Sequence, residues 1–340
     1  MIRQGFSDRL LHRFALQSPR FRRFCFTREC ERNHARFDPG RRNLFIAGMA
    51  RSGSTALLNS LYASDAFAST CYRHMPFIMA PSLSNLIAAI SGNMAAPRER
   101  RHADGIFVDL DSPEALDGIF WSTYLERDTD RILPCDADEP LLRNYAMFIE
   151  NLLIHSKRER YLSKMNQRMD LLSSLAPFFR QSTFLVPFRE PLQQAASLLR
   201  QHRSFARLST YESDYLGWLD HHEFGATHAG FYTSPSRPAS TYSMDSLDYW
   251  LTQWRNSYGY LADLIERHSN LLPVGYERLA ASADAWRALS QRLELSLSGA
   301  EFGNHNSVDN GTNAQFDAPL MDDCRRLYAR LAQQQEARGI

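Results

Sequence analysis

The sequence contains little cysteine, almost no lysine and no long apolar run. Its five cysteines are odd in number and show no Cys-x-x-Cys spacing, which argues against a disulfide scaffold or a zinc site and favours reduced cytosolic thiols. No run of eighteen apolar residues occurs, so no membrane-spanning helix is expected. The N-terminal segment also lacks the continuous apolar region of a secretory signal. With 44% hydrophobic and 23% charged residues among 340, the chain has the composition of a globular protein, expected in the cytoplasm or at the membrane surface.

Positive charge is concentrated at the N-terminus. Residues 1–42 contain eleven arginines and four acidic residues, whereas the remaining 298 residues carry a net charge of −6. Apolar residues recur every four positions at Phe6, Leu10 and Phe14, with arginines between them, which predicts a short amphipathic basic helix. We favour packing of this helix on the body of the protein through that stripe. Contact with a membrane surface or an acidic partner is an alternative, and nucleic acid is the least favoured partner.

Short apolar runs alternate with segments of helical spacing in the rest of the chain. Strands are predicted at residues 43–47, 183–188 and 271–276, and helices at 54–62, 139–155, 192–202, 245–268 and from about 278. This alternation predicts a three-layer α/β sandwich, in which helices cover both faces of a central, mostly parallel sheet. Trp250, Trp254 and Tyr258 share one stripe of the long helix and are expected in the core.

The predicted organisation is a basic helical extension followed by one α/β domain. The extension comprises residues 1–42 and the domain residues 43–340. Residues 224–244, rich in Thr, Ser, Gly and Pro, are predicted to form a long loop over one end of the sheet, and loops of this length are often lids or binding loops.

The most informative segment follows the first predicted strand and opens the next helix. It reads Gly48-Met-Ala-Arg51-Ser-Gly53-Ser54-Thr55. Successive backbone N–H groups at such a turn, beside the positive N-terminus of a helix, form a binding site for an anion. The glycine spacing is close to that of the nucleotide P-loop, but Ser54 occupies the position of the P-loop lysine, and the cation Arg51 lies inside the loop. The segment therefore predicts a phosphate-binding loop without the ammonium group that reaches the terminal phosphates of a triphosphate.

A second anion signal lies about 138 residues further along the chain. The predicted strand 183–188 leads into Arg189, and Pro191 suits the first turn of the helix that follows. The planar guanidinium of Arg189 matches the geometry of a phosphate. Ser197 follows eight residues after the arginine, nearly two turns along that helix.

Together these motifs resemble the signatures of the sulfotransferases, which transfer a sulfonate group from 3′-phosphoadenosine 5′-phosphosulfate (PAPS) to a hydroxyl or amine. The glycine loop resembles their 5′-phosphosulfate loop, and the pairing of Arg189 with Ser197 resembles their 3′-phosphate signature. The segment 160–166 resembles the one in which a strand-end lysine, here Lys164, reaches the transferred sulfonate. The resemblance covers roughly residues 43–280 and implies a P-loop-like sulfotransferase fold. The residues that it assigns to the nucleotide are Arg51, Ser52, Gly53, Ser54, Thr55, Arg189 and Ser197.

The resemblance implies PAPS as co-substrate and adenosine 3′,5′-bisphosphate as product, with no metal. Positioning and cationic stabilisation are expected to supply most of the catalysis, and Arg51 and Lys164 bring the positive charge. In one respect the chain departs from the family. The C-terminal basic loop over the nucleotide is not visible, because residues 301–312 contain no lysine or arginine.

The second departure from the family concerns the base that takes the proton of the acceptor. The family uses His or Glu, and one class places its Glu a little over twenty residues past the loop cation. The matching stretch, residues 69–76, contains no carboxylate, so His74 is predicted as the base, with Arg73 holding the acceptor or the sulfonate. The carboxylates in reserve are Asp109, Asp111 and Glu114.

Two other functions remain open from the sequence. An ATP-using P-loop kinase or transferase is disfavoured by Ser54 and by the lack of a clear Walker B strand end. A non-catalytic nucleotide-binding protein on the same fold stays open because the base is uncertain. The acceptor is expected to be a saccharide or glycolipid, with a small phenol, a lipid or a peptide tyrosine as alternatives.

Overall fold

Five parallel strands form the central sheet of the protein, described here from a computed structural model that covers residues 6–91, 98–99, 107–125, 131–233, 242–296 and 315–340. The strands are β1 (Leu44–Ile46), β2 (Phe67–Ala68), β3 (Arg98–Glu99), β4 (Phe107–Val108), β5 (Arg131–Ile132), β6 (Arg160–Lys164), β7 (Thr183–Phe188), β8 (Phe231–Tyr232) and β9 (Leu271–Gly275). The strand order in the central sheet is β2-β6-β1-β7-β9, and each neighbouring pair is parallel. Two small pairs lie outside it, β3 with β4 and β5 with β8.

Helices connect the strands and cover the sheet. They are α1 (Phe6–Gln17), α2 (Pro19–Asn33), α3 (Ser54–Tyr62), α4 (Pro81–Ser91), α5 (Gly118–Tyr124), α6 (Glu139–Ser156), α7 (Leu172–Phe178), α8 (Pro191–Phe205), α9 (Thr210–Trp218), α10 (Leu247–Arg267), α11 (Tyr276–Ala281), α12 (Ala283–Leu293) and α13 (Ala318–Ala337). No helix within the described ranges is long and apolar enough to cross a membrane.

Alternate side chains of the strands fill two separate hydrophobic cores. In β1, Phe45 joins the larger core while Leu44 and Ile46 join the smaller one, as expected when successive side chains point to opposite faces of a sheet. The larger core lies under α6, α8, α10 and α13, and the smaller one under α3, α11 and α12. The predicted α/β sandwich with a parallel central sheet is therefore confirmed, and Trp254 and Tyr258 are fully buried as expected.

The predicted element bounds agree closely with the structure where the apolar pattern is strong. The strand at 183–188 and the helix at 54–62 are reproduced to the residue. The predicted long loop contains the short strand β8 and a turn of 3₁₀ helix at Gly225–Thr227, and its residues 234–241 lie outside the described part. Residues 301–312 lie outside it as well.

The N-terminal helices pack on the domain, but not through the predicted stripe. Leu10 and Phe14 are 61% and 60% exposed, whereas Ala15 and Leu16 are buried. Positions 10 and 14 lie about 200° around the helix from position 12, which faces Tyr215 of α9, so α1 turns Leu10 and Phe14 away from the body. The expectation that the stripe formed the packing face was wrong.

Helix α2 is attached to the domain by buried polar contacts. Arg22 is 6% exposed and donates to the Ile119 carbonyl and the Ser122 hydroxyl of α5. Glu29, also buried, accepts from the backbone N–H and hydroxyl of Ser82 at 2.8 and 2.6 Å. These hydrogen bonds fix the docked position of α2, because a shift that breaks one of them without exposing the groups to water leaves a buried polar group unsatisfied.

Substitution by alanine is expected to change the stability of the protein in opposite directions at two glycines. A Cβ at Gly48 would lie 2.8 Å from the carbonyl oxygen of Pro187 in the adjacent strand, whereas a Cβ at Gly259 on α10 would meet nothing within 4 Å. We expect Gly48→Ala to lower the free energy of unfolding by about 1–3 kcal/mol through overpacking. Gly259→Ala should raise it by about 0.5–1 kcal/mol through helix propensity.

Chemical denaturation of both variants, monitored by tryptophan fluorescence, measures these changes. A Gly48→Ala variant as stable as the wild type would show that the two strands separate easily at this point. The Gly259→Ala variant controls for any general effect of an added methyl group.

Candidate functional site

The predicted anion loop is a tight turn at the carboxyl end of β1. Arg51 has a left-handed backbone with φ 65°, and Gly53, with φ 86°, precedes the first residue of α3. A left-handed conformation is unfavourable for a residue with a side chain, and such strain is concentrated at functional sites. The Ser52 hydroxyl donates to the Met49 carbonyl at 2.8 Å and closes the turn. The N-terminus of α3, whose first N–H groups have no partner within the helix, opens from this turn.

A buried polar network holds the loop in place from behind. The side chain of Gln194 on α8 donates to the Ala50 carbonyl at 2.9 Å and accepts from the Trp254 indole N–H at 3.0 Å. The Tyr258 hydroxyl donates to the Pro187 carbonyl at 2.8 Å. The two aromatic side chains of α10 therefore do more than fill the core, because their polar atoms fix the loop and the end of β7.

The structure brings the two predicted phosphate signatures together. Nε of Arg51 in the loop donates to the Ser197 hydroxyl on α8 at 3.0 Å, across 146 residues of sequence. Arg189 lies at the end of β7, stacked over the Tyr276 ring at 4.8 Å and donating to Gln193 at 3.1 Å. Its Nε is buried and has no hydrogen-bond partner in the described residues. An unpaired buried donor on a guanidinium is suited to an anionic ligand.

Lys164 reaches the same edge of the sheet. Its position in β6 is in register with Ile46 of β1, which places the lysine beside the start of the loop. The ammonium group donates to the Thr55 hydroxyl at 3.1 Å and to Glu114 Oε1 at 3.0 Å, and its side chain is only 7% exposed. The third predicted segment thus contacts the first.

Glu114 is the carboxylate that the fold places beside this lysine. Its other oxygen accepts from the Tyr72 hydroxyl at 2.9 Å. Its backbone is held by Thr70, which accepts from the Glu114 N–H at 3.0 Å and donates its own hydroxyl to the Glu114 carbonyl at 2.7 Å. The carboxylate is thereby fixed at the start of the loop, within hydrogen-bond distance of a cation and of a phenol.

The predicted base, His74, and its neighbour Arg73 make their contacts away from the anion loop. His74 is 8% exposed, and its Nδ1 accepts from the Cys71 N–H at 3.0 Å. Burial and the adjacent Arg73 lower the pKa of His74 to about 4. Arg73 is engaged with Asp111 instead of the loop. Asp109 accepts from Ser112 on an exposed turn.

A cavity of about 370 Å³ lies in front of the loop. At one end it is lined by the charged and hydroxyl residues Arg51, Ser54, Thr55, Glu114 and Lys164. The other lining residues are apolar and polar in similar numbers. The apolar ones, called the apolar wall below, are Ala50, Met75, Leu110, Leu116, Phe205, Leu208, Leu216, Leu219 and Phe224. The polar ones are Asp8, His12, Tyr72, Asn166, Gln167, Ser204, Tyr215, His221 and Glu223. His74, Arg73, Asp109 and Asp111 are not among the described residues that line it.

The N-terminal helix α1 forms part of the cavity wall. The sequence did not predict that this helix contributes to the site. Asp8 and His12 of α1 line the cavity, and His12 Nδ1 lies 2.9 Å from the Tyr215 hydroxyl. His221 and Glu223 also line it, with His221 Nδ1 3.0 Å from the Gln167 amide nitrogen. None of these residues lies in a motif, so no spacing in the sequence marks them.

Comparison with known proteins gives a structural likeness only. No family model and no curated protein matches the sequence. The structure of the sulfotransferase STF9 from Mycobacterium avium is similar with a TM-score of 0.53 and 14% sequence identity, covering 98% of this chain and 86% of that chain. The sulfotransferase STF1 from Mycobacterium tuberculosis gives a TM-score of 0.49 and 13% identity, over 95% of this chain and 85% of that chain. The likeness to STF9 shows that this chain has the fold of a sulfotransferase.

Proposed function

We propose that the protein is a PAPS-dependent sulfotransferase that transfers sulfonate to a hydroxyl or amine of an acceptor. The observation that carries the proposal is the hydrogen bond from Arg51 to Ser197, with Lys164 at the same edge. It joins a 5′-phosphosulfate loop to the helix that carries a 3′-phosphate signature. A nucleotide with phosphate groups on both ends of its ribose would engage both elements together.

The residues present fit this co-substrate at both of its anionic ends. The loop and the N-terminus of α3 suit the 5′ group, since backbone N–H groups at a helix start favour an anion. The buried, unpartnered Nε of Arg189 and the hydroxyl of Ser197 suit the 3′-phosphate. When bound, PAPS supplies an activated sulfonate and leaves as adenosine 3′,5′-bisphosphate.

Lys164 and Glu114 are the proposed catalytic pair. Lys164 contacts both the loop and the carboxylate, so its ammonium group stabilises negative charge at the point where the loop meets the cavity. Glu114 lies in the cavity and accepts the proton of the acceptor hydroxyl. The Tyr72 hydroxyl, which donates to the other oxygen of Glu114, keeps the carboxylate oriented.

His74 is a weaker candidate for the base because of its hydrogen bond and its position. A base must lie within hydrogen-bond distance of the proton that it removes. The Nδ1 lone pair of His74 is occupied by the Cys71 N–H, and the described cavity lining does not include this residue. We therefore assign the role to Glu114, and assign to His74 the closing of the turn at Tyr72–His74.

The apolar wall favours an acceptor with an apolar body. Arg51 and Lys164 are the only lysine or arginine residues among the described lining, and both lie at the nucleotide end. The apolar wall includes Phe205, Leu208 and Phe224, and polar side chains such as Asp8 and Glu223 belong to the same lining. Among the expected acceptors, a glycolipid or another amphiphilic hydroxyl compound fits this mixed lining, because its apolar part contacts the wall and its polar part contacts the side chains beside it.

Nucleotide binding tests the proposal. Adenosine 3′,5′-bisphosphate should raise the unfolding temperature of the protein and Mg-ATP should not, because Ser54 replaces the P-loop lysine. In calorimetry, Arg189→Ala should weaken the bisphosphate about ten- to a hundred-fold, since hydrogen bonds to charged groups contribute about 1.5–3 kcal/mol. Adenosine 5′-phosphate should bind both proteins alike.

The matched control is Arg203→Ala, because Arg203 lies on α8, the helix that follows Arg189, and pairs with Asp245 on the surface. Protection by Mg-ATP without protection by the bisphosphate would support the kinase alternative instead. Bisphosphate binding without sulfonate turnover on any hydroxyl or amine would support a non-catalytic nucleotide-binding protein.

Separate substitution of Glu114 and His74 distinguishes the roles of the two candidate bases. Glu114→Gln should lower kcat by about 10²–10⁴, because the amide cannot accept the proton, while bisphosphate affinity changes little. His74→Asn offers an oxygen to the Cys71 N–H and should keep more than about a tenth of the wild-type kcat. A large loss of kcat in His74→Asn, with Glu114→Gln active, would restore the histidine as base.

Paired acceptors test the apolar wall. In a series of hydroxyl compounds made as methyl and octyl derivatives, the octyl member should have a kcat/KM at least about tenfold higher. Burying two further methylene groups contributes about 1.6 kcal/mol, which is about fifteen-fold. Equal kcat/KM values for the two derivatives would show that the acceptor does not use this wall.

A further inference from the structure

The outer face of the N-terminal helices carries exposed apolar side chains. Leu10, Leu11 and Phe14 of α1 are 61%, 41% and 60% exposed, and Phe24 of α2 is 58% exposed. Phe14 and Phe21 contact each other with ring centroids 4.8 Å apart, so the exposed side chains of the two helices belong to one surface. We call these four exposed residues, Leu10, Leu11, Phe14 and Phe24, the N-terminal apolar patch.

The patch extends towards α4. Phe21 contacts Phe77, four residues before this helix, with ring centroids 6.4 Å apart. Leu83 and Leu86 of α4 are themselves 37% and 56% exposed. Six of the eight large apolar side chains that are exposed in the described residues therefore lie on α1, α2 and α4. Single exposed apolar residues are ordinary, but a concentration of this kind indicates an interaction surface.

The helices that carry the patch are basic, and Arg28 lies over the ring of Phe24 at 5.8 Å. Helices α1 and α2 carry six exposed arginines, Arg9, Arg13, Arg20, Arg23, Arg28 and Arg32. Only two carboxylates of these helices, Asp8 and Glu31, are exposed, because Glu29 is buried under α4. The rest of the chain, from residue 43 onward, has a net charge of −6, so positive charge is concentrated in the N-terminal segment that contains these helices.

We propose that this face of α1 and α2 binds an anionic membrane surface. A helix lying in the interface of a bilayer buries apolar side chains among the lipid chains while its arginines remain at the anionic headgroups. The same helix lines the cavity through Asp8 and His12, so a membrane bound to its outer side lies next to the cavity wall. Charge and apolar exposure together favour lipid over an acidic protein, which would pair with the arginines but needs no exposed Leu or Phe.

Vesicle sedimentation tests the membrane proposal without any assay of sulfonate transfer. The full-length protein should bind vesicles of phosphatidylcholine with 30% phosphatidylserine, and should bind pure phosphatidylcholine vesicles at least tenfold more weakly. Binding should decrease in 0.5 M NaCl, where the charges are screened within about 4 Å. Failure of the proposed enzymatic function would leave this result unchanged, and failure of vesicle binding would leave nucleotide binding unchanged.

Matched variants assign the binding to the patch and its arginines. The double variant Leu10→Glu, Phe14→Glu should weaken binding to the anionic vesicles at least tenfold, whereas Met244→Glu, at a side chain that is 45% exposed and precedes α10, should not. Arg28→Glu should also weaken it. Its control is Arg287→Glu on α12, because both arginines are about two-thirds exposed and both pair with a carboxylate three residues away.

Unfolding temperatures of all variants check that the helices remain folded. Absence of binding to anionic vesicles, or equal binding by the double variant of α1, would overturn the proposal. Binding of soluble poly-glutamate without binding of vesicles would overturn it as well, and would identify an acidic partner as the ligand of this face.

Discussion

The close approach of β1 and β7 at their carboxyl ends determines the geometry of the site. A Cβ at Gly48 would lie 2.8 Å from the Pro187 carbonyl, so only glycine lets the two backbones come this near. Because the strands are parallel neighbours, the anion loop after β1 and Arg189 after β7 leave the sheet at the same edge. The Tyr258 hydroxyl, bonded to the Pro187 carbonyl, holds that edge from the core side. The contact between Arg51 and Ser197 depends on this arrangement.

Buried polar groups fix the neighbouring strand in the same way. Asp117, at the start of α5, accepts hydrogen bonds from the Tyr145, Tyr161 and Ser163 hydroxyls at 2.5, 2.7 and 2.7 Å. Burial raises the pKa of Asp117, and the hydroxyl donors oppose that rise. Tyr161 and Ser163 belong to β6, so the network ties this strand to α5 and α6 and thereby sets the position of Lys164 at its end. The tyrosines of the core thus have a positioning role that their hydrophobicity does not reveal.

The parts of the site that the sequence predicted are those encoded by local pattern. The glycine loop, the end of β7 and the helix after it are each contiguous segments, in which strand, turn and helix signals coincide. The choice between His74 and Glu114 as the base depends instead on contacts that no contiguous motif encodes. Glu114 reaches the cavity because its backbone pairs with Thr70, which is 44 residues away in sequence. His74 turns inward because Cys71, three residues before it, needs an acceptor for its N–H.

Helix α1 also shows that a local sequence pattern does not determine tertiary contacts. The recurrence of apolar residues every four positions predicts the helix, but it does not determine which face of the helix contacts the domain. The buried side is formed by Ala15 and Leu16, and His12 contacts Tyr215 of the domain. Leu10 and Phe14, on the other side, remain largely exposed to solvent. Amphipathic spacing predicts that a helix has an apolar face, and only the tertiary structure shows whether that face is covered.

The charge balance of the site bears on the proposed chemistry. Glu114 lies 3.0 Å from Lys164, and the lysine in turn contacts Thr55 of the loop. Phosphoryl-transfer sites also contain carboxylates, as ligands of Mg²⁺ or as bases, so Glu114 by itself is compatible with either transferred group. The difference lies in the cations, because Ser54 occupies the position of the P-loop lysine that reaches the terminal phosphates of a triphosphate, and Lys164 is paired with Glu114. A sulfonate carries one negative charge fewer than the corresponding phosphoryl group, so a loop without that lysine is consistent with the proposed transfer of sulfonate.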